Sequence, residues 1–463
     1  MPNSRRLSLE NPATNAVFKT LEMPDEKELH AMLARARHAF EKWHRVPISQ
    51  RVEITLRFVD EMLKLQEEIA REITLQMGKP IKQARAEVET MAGRARYLAG
   101  IAEEALADEV LPEKTGFFRK IAHEPRGVVL DIAAWNYPLL ISINIVAPAI
   151  LAGNAALLKH SSLTPLCALR MQEAYAAAGL PEGVLQAVTI DRSGGDFLVK
   201  SPEIDAVFFT GSVAGGYEVY QKAATGLKRA GLELGGKDPA YIRADADLTF
   251  AVPNVADGAF YNCGQSCCAV ERVYVHKKIY EEFLEAFLQE VQSYRTGDPL
   301  SEVTYLGPLA QKKQISVLQE QIDEAVRRGA KVLLGGKAMH VNGHGNYFEP
   351  TVLVSVSNDM LLMQEESFGP IIGIMPVAGD EEALRLMNDS RFGLTASIWS
   401  RDQEAALQLA AHIQAGTVYL NRCDYLDPAL PWIGYKESGL GCSLSHHGFR
   451  EVTRMKSYHF RLA

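Results

Sequence analysis

Residues 132–158 carry no charge, and this stretch limits the fold more than any other feature of the chain. It is long enough to cross a bilayer, which takes about 20 apolar residues. Yet it contains Pro138, Pro148, Gly153, Asn136, Asn144 and Asn154. Prolines remove backbone donors and amide side chains need partners, and hydrocarbon compensates for neither. The stretch therefore reads as a strand, a turn and a helix inside a protein, with its amides as functional core. A chain of 463 residues can supply several domains to bury it, since single domains usually run to roughly 100–200 residues.

Before the uncharged stretch the pattern is helical. Leu29, Met32, Leu33, Ala36, Phe40 and Trp43 recur at helical spacing behind Asp25 and Glu28, which stand in capping-box positions. A second helix is predicted over 49–77, ending at Gly78-Lys79-Pro80, and a third over 81–106. Short apolar runs then alternate with helices: strands at 127–134, 155–159, 185–190 and 205–210, with a helix opened by Thr164-Pro165. Such alternation predicts parallel βαβ units. The run ending at Thr210 meets Gly211-Ser212, and a helix follows through Gly216 to about residue 224. A glycine turn at a helix N-terminus suits a phosphate, although such turns open many helices that bind nothing. A second alternating series begins after Lys237, with helices at 248–261 and 279–294 around a strand at 272–275. In the tail, 456–462, Tyr458, Phe460 and Leu462 share one face of a half-buried strand. Such a strand is a candidate for pairing with another subunit.

Charge and cysteine usage narrow the chemistry. The net charge of -8 and the lack of any basic block argue against a nucleic-acid partner or a polybasic membrane surface. The opening residues contain no apolar signal segment, so a reducing cytoplasm is expected and the six cysteines are expected to be mostly free thiols. Gly-x-Gly-x-x-Gly, Gly-x-x-x-x-Gly-Lys-Ser/Thr, Gly-x-Ser-x-Gly and His-Glu-x-x-His are all absent. Cys263, Cys267 and Cys268 cluster around Gly264-Gln265-Ser266. A thiol just after Gly-Gln, where a helix breaks, is placed for nucleophilic attack. Lone cysteines are more often packing residues, the reading for Cys167, Cys423 and Cys442. Zinc held with Cys442, His446 and His447 is the other alternative, but no Cys-x-x-Cys pair exists and no metal is expected. A thiol catalyst also needs oxyanion donors and a base. Asn136 is an amide at an apolar strand end, and Glu233 is a carboxylate before Gly235-Gly236-Lys237, where burial would raise its pKa.

Trp135-Asn136-Tyr137-Pro138, Phe209-Thr210-Gly211-Ser212, Leu232-Glu233-Leu234-Gly235-Gly236-Lys237, Gly264-Gln265-Ser266-Cys267, Glu366-Ser367-Phe368-Gly369-Pro370 and Gly434-Tyr435-Lys436-Glu437-Ser438-Gly439 resemble signature blocks of the NAD(P)-dependent aldehyde dehydrogenase superfamily. They occur in family order. With Asn11-Pro12-Ala13-Thr14 near the start, the similarity covers nearly the whole chain. The resemblance implies an α/β fold of two Rossmann-like parallel-sheet domains with a small β oligomerisation element. The cofactor domain would be 1–106 and 126–236, and the catalytic domain 237–440. An arm at 107–125 would pair with the tail, 441–463, in a homodimer or homotetramer.

The resemblance also implies site roles. Cys267 would be the nucleophile, Asn136 the oxyanion donor and Glu233 the base that activates water, converting a small-molecule aldehyde to its acid. NAD or NADP would contact Trp135, Lys159, Ser162, Gly211, Ser212 and Gly216, with Glu366 at the nicotinamide-side ribose and Phe368 beside it. Many NAD-preferring members have Lys-Pro-Ser-Glu where this chain has Lys159-His160-Ser161-Ser162. Ser162 removes a carboxylate that would repel a 2′-phosphate, and Lys159, with His160, could attract one, so acceptance of NADP is expected. Tyr137, Ile141, Asn144, Tyr261, Ser266, Leu426 and Trp432 are expected along the aldehyde tunnel, with the altered block Pro431-Trp432-Ile433-Gly434 narrowing its mouth. Members acting on succinic semialdehyde place an arginine there for the distal carboxylate. Residues 136–148 contain none, which leaves Arg422 and Arg272 as the nearest candidates by sequence. Succinate-semialdehyde oxidation is the substrate alternative. A CoA-acylating relative, which would lack Glu233, and an inactive nucleotide-binding relative are the class alternatives.

Overall fold

In the computed structural model, residues 5–462 are described. The uncharged stretch forms the strand Val128–Ala133, the helix Pro138–Ala152 and the strand Ala155–His160. Pro138 takes the first helical turn, where its missing N–H has no intrahelical acceptor to lose. Every residue of this helix except Leu140 is buried, which explains why the run tolerates no charge. Trp43, from the first helix, donates its indole N–H to the Ile150 carbonyl at 3.0 Å. This bond ties the N-terminal helical layer to the buried helix.

Two sheets organise the chain. The first runs in the order Gly439–Leu440, Arg229–Glu233, Ala206–Thr210, Val128–Ala133, Ala155–His160, Leu185–Ala187. Its strands are parallel apart from the short first one. The second runs Lys331–Leu334, Thr351–Val354, Ile371–Val377, Val270–His276, Asp238–Ile242, Thr395–Trp399, Thr417–Leu420 and is parallel apart from its first strand. Both sheets carry helices and near-continuous apolar strands, as buried parallel sheets do. A third, antiparallel sheet joins Thr453–Arg461 to Phe117–Pro125 and then to Glu109–Val110.

The local expectations are met with two exceptions. Asp25 accepts from the Glu28 N–H at 2.8 Å while Glu28 Oε2 accepts from the Asp25 N–H at 2.8 Å, a complete capping box ahead of the helix Glu26–Trp43. The helix predicted over 49–77 is two helices, Ile48–Lys64 and Gln66–Met77, broken at Leu65 (φ -102°, ψ 13°). The apolar spacing continues through Leu65, so periodicity alone does not reveal the break. The tail strand begins earlier than predicted, and its apolar face is not half-buried within one chain: Phe460 is 54% and Leu462 57% exposed. Phe460 meets Phe118 at a tilt (5.8 Å) and Tyr458 edge to face (5.8 Å). Among the described residues no helix is long and apolar enough to cross a membrane.

Candidate active site

The helix Leu248–Phe260 ends in the tight turn Tyr261–Gly264. There Asn262 (φ 52°), Cys263 (φ 58°) and Gly264 (φ 68°) are successively left-handed. At Gly264 a Cβ would lie 2.3 Å from the Gly369 carbonyl oxygen, so only glycine fits. The turn leads into Gln265-Ser266-Cys267 and sends the three thiols to different places. Cys263 is buried in the core of the second sheet, where burial pushes its thiol up to about 12. It does not line the cavity onto which Cys267 opens, although it stands only four residues before Cys267. Cys267 is half-buried and lines a cavity of about 260 Å³. Cys268 lines the same cavity but donates its thiol to Asp424 Oδ1 at 2.9 Å. The adjoining Cys267, burial and the Asp424 carboxylate together hold that thiol well above its ordinary range. Cys423 and Cys442, expected to be packing residues, are only half-buried; Cys423 lies on the irregular chain after the strand Thr417–Leu420, and Cys442 opens the two-residue strand Cys442–Ser443.

Glu233 ends the strand Arg229–Glu233 and opens onto the same cavity. Burial raises its pKa, while hydrogen bonds from Ser443 and Thr210 and the charge of Arg94 act in the other direction. Ser443 Oγ donates to Glu233 Oε1, and Thr210 Oγ1 donates to Oε2 at 3.4 Å. Asn136 follows the strand Val128–Ala133 and is buried, with its carbonyl accepting from Asn262 Nδ2 at 3.0 Å.

Tyr137, Ile141, Asn144, Tyr261, Ser266, Leu426 and Trp432 all line the cavity that holds Cys267 and Glu233. Its other wall is one face of the helix Ile81–Leu106, from which Gln83, Glu87, Thr90 and Arg94 project. Arg94 is 5% exposed, and its Nη1 donates to Asn144 Oδ1 at 2.9 Å and to the Leu140 carbonyl at 3.2 Å. Among the described residues no carboxylate lies within 4.0 Å of its guanidinium. Burial lowers its pKa to about 10, which leaves it charged at neutral pH. The two arginines favoured by sequence proximity do not serve. Arg272 is fully buried and donates to the carbonyls of Lys237 (2.8 Å), Leu386 (3.1 Å) and Met387 (2.9 Å). Arg422 lies over the Tyr425 ring at 3.3 Å and lines no part of the cavity.

A second cavity, about 370 Å³, lies at the carboxyl ends of the first sheet and is lined by Lys159, Ser162, Ser212 and Gly215. Ser212 caps the helix Val213–Ala224 by accepting from the Gly215 N–H at 3.3 Å. The N–H groups of Val213 and Ala214 have no intrahelical acceptor, which suits a phosphate. Gly216 does not line this cavity: a Cβ there would meet Leu234 at 2.5 Å, so the residue serves helix–sheet packing. Gly211 packs under the Phe209 ring, 2.7 Å from where its Cβ would lie. His160 cannot attract an anion. It is buried between the Pro138 carbonyl (3.0 Å) and Thr164 Oγ1 (2.9 Å), and burial lowers its pKa to about 4. Glu366 lies against Gly235 and Gly236 and accepts from the Gly236 N–H at 3.0 Å, while Trp135 and Phe368 meet edge to face at 5.5 Å.

Residues 1–458 match the Aldehyde dehydrogenase family. The chain belongs to that family. Succinate-semialdehyde dehydrogenase [NADP(+)] 1 of Mycobacterium tuberculosis is 35% identical over 449 residues, covering 96% of this chain and 98% of the relative. An aldehyde dehydrogenase of Paenarthrobacter nicotinovorans is 36% identical over 450 residues, with 96% and 98% covered. Among solved structures, an NAD-dependent aldehyde dehydrogenase from Sinorhizobium meliloti superposes with a TM-score of 0.96 at 35% identity, covering 99% of this chain and 92% of that one. A betaine aldehyde dehydrogenase from Staphylococcus aureus in complex with NAD+ gives 0.95 at 30% identity, with 99% and 92% covered.

This aldehyde dehydrogenase is an NAD(P)-dependent oxidoreductase with the two-sheet α/β architecture of its relatives. The residues around the second cavity fit a dinucleotide. Asp196 and Glu218 on its wall are engaged by Lys222 (2.6 Å) and Arg192, and Asp191 caps its own helix. Lys159, by contrast, has no carboxylate within 4.0 Å among the described residues. Arg94 is the charged residue of the cavity wall that the sequence analysis does not single out. Gln83, Glu87, Thr90 and Arg94 share one face at helical spacing, but Lys82, Arg85, Glu89 and Arg96 stand among them in sequence, so no local signal separates the tunnel-facing polar residues from the solvent-facing ones.

Proposed function

We propose that this enzyme oxidises small aldehydes bearing a carboxylate at the far end, of the succinic semialdehyde kind, and accepts NADP. The single observation behind the substrate class is Arg94, a buried cation in the tunnel with no carboxylate within 4.0 Å among the described residues. A buried charge is costly unless paired, and a carboxylate is the ligand a guanidinium binds best. The tunnel also contains carboxyls, which would suit a cationic aldehyde, but each is already engaged. Glu87 is held by Lys79 and by the Leu139 N–H (2.9 Å), Asp257 by Tyr305, and Asp424 by Ser266 (2.8 Å) and Cys268. The mycobacterial relative, a succinate-semialdehyde dehydrogenase, supports this reading.

In the mechanism, Cys267 Sγ attacks the aldehyde carbon. The Asn136 amide and the Cys267 N–H stabilise the oxyanion of the hemithioacetal. Bound NADP supplies the hydride acceptor. Collapse of the oxyanion leaves a thioester on Cys267, and Glu233 takes a proton from water as it attacks that thioester, releasing the acid and the thiol. Lys159 and Ser162 receive the adenosine ribose with its 2′-phosphate, and the N-terminus at Ser212 receives the pyrophosphate. Steady-state rates for a panel of neutral, cationic and carboxylated aldehydes with both cofactors test the proposal. We expect the highest kcat/KM for a carboxylated aldehyde with NADP and free acid as product; preference for a cationic or plain aliphatic aldehyde would refute the substrate class.

We further propose a homodimer or homotetramer, supported by the free edge and exposed apolar face of Thr453–Arg461, and a cytoplasmic location, supported by six cysteines that are all free thiols. Light scattering on a chain truncated before Lys456 should show a smaller assembly; an unchanged oligomer would contradict the assignment.

A further inference from the structure

Asn262 stands where the two sheets meet. It is buried, left-handed (φ 52°), and belongs to the turn that presents Cys267. Its side-chain amide donates twice: to the Asn136 carbonyl at 3.0 Å and to the Gln265 carbonyl at 3.1 Å. Asn136 follows a strand of the first sheet, whereas Gln265 precedes Cys267 on the approach to the second. One amide therefore bridges the chain carrying the oxyanion donor and the chain carrying the nucleophile.

The bridge is itself held rigidly. Gln83 Oε1 accepts from the Asn262 N–H at 3.0 Å, and Gln83 Nε2 donates to the Tyr305 carbonyl at 3.0 Å. Gln265 Nε2 donates to the Asn262 carbonyl at 3.1 Å, while its Oε1 accepts from the Ala310 N–H at 2.9 Å. Asn262 Oδ1 is buried without a partner, so the two donor bonds alone set the orientation of the amide. Asparagine is among the few residues that adopt a left-handed backbone readily, and it also carries the donor group that the gap requires.

We infer that Asn262 is a positioning residue that fixes the Asn136 amide relative to Cys267, and that it acts on the reaction only through Asn136. The inference rests on the roles proposed above for Asn136 and Cys267. The test is a double-mutant cycle of Asn136→Ala, Asn262→Gly and their combination, with Asn262→Asp as a second probe of the bridge. Glycine keeps the left-handed backbone without strain and removes the amide; aspartate keeps the shape but cannot donate. The readouts are kcat for aldehyde oxidation and for ester hydrolysis, melting temperature, and NADPH affinity by fluorescence. We expect each single variant to lose roughly 100-fold in both rates, the cost of a lost or misplaced oxyanion donor. The combination should be no slower than Asn136→Ala alone, and NADPH affinity should be unchanged. If Asn136→Ala is slow but the losses multiply in the combination, or if either Asn262 variant turns over normally, the inference fails while the role of Asn136 stands. Normal turnover by Asn136→Ala would remove both.

Discussion

Arg94 Nη1 donates to Asn144 Oδ1 at 2.9 Å, joining the helix Ile81–Leu106 to the buried helix Pro138–Ala152 inside the aldehyde tunnel. The Asn144 oxygen and the Leu140 carbonyl (3.2 Å) engage Nη1 and leave the Nε and Nη2 N–H groups for an anion. Asn144 thus orients a cation that its own stretch of sequence does not contain.

Replacing Arg94 by Met removes the charge and keeps much of the volume. A charged hydrogen bond is worth about 1.5–3 kcal/mol, so kcat/KM for a carboxylated aldehyde should fall roughly 10- to 150-fold. The rate with an uncharged aldehyde of the same length should change little. Equal losses on both substrates would mean that Arg94 supports the tunnel and does not read the substrate.

Glu233 yields a pH prediction. Burial raises its pKa, so with Glu233 as the proposed base the acid limb of kcat should lie higher than an ordinary carboxylate would put it. The Ser443 hydroxyl stabilises the carboxylate form. Ser443→Ala should therefore move the acid limb to higher pH. On the acid limb kcat should fall roughly fivefold, the equivalent of one ordinary hydrogen bond of ~1 kcal/mol, with recovery on the alkaline plateau. A uniform loss at all pH values would show that Ser443 acts by another route.

Cofactor choice should turn on one side chain. Ser162→Glu places a carboxylate on the cavity wall beside Lys159. It should cut kcat/KM with NADP by at least about tenfold, or 1.4 kcal/mol, while leaving NAD turnover the same or faster. Undiminished NADP turnover would mean that the 2′-phosphate lies elsewhere.

Asp131 should be a stability liability. It sits on the central strand Val128–Ala133, is 1% exposed, and neither carboxylate oxygen has a hydrogen-bond partner among the described residues. Burial, then the charge of Glu233, raises its pKa well above the ordinary value. The folded protein thus holds this proton more tightly than the unfolded chain. Stability from this group is present in acid and is lost as pH rises from the unfolded carboxyl pKa toward the folded one. Asp131→Val should stabilise the enzyme at neutral pH by about 1–3 kcal/mol, the cost of an unsatisfied buried polar group, and flatten the decline with pH. Urea unfolding across pH decides the point; a less stable variant would contradict it.

Much of this was legible because the chemistry imposes unusual sequence. An uncharged run with two prolines and three amides can only be buried core, and the left-handed turn before Cys267 requires Gly264. What stayed hidden depended on facing. Arg94 lies some forty positions before Asn136, and nothing local shows that its helix turns Gln83, Glu87, Thr90 and Arg94 toward the tunnel. His160 looked available beside Lys159, yet strand alternation turns it inward to Pro138 and Thr164. Gly216 looked like a phosphate-turn glycine, but the turn ends one residue earlier and Gly216 packs on Leu234. The break at Leu65 is a kink that an uninterrupted apolar period conceals.

The central claim joins nucleophile, base and substrate class, and one measurement addresses all three. Glu233→Gln should form the thioester and fail to hydrolyse it. Mixing this variant with NADP and succinic semialdehyde, followed by peptide mass spectrometry, should show one succinyl group per chain on Cys267, formed with a single burst of NADPH. An unmodified chain, or the acyl group on Cys268, would contradict the account.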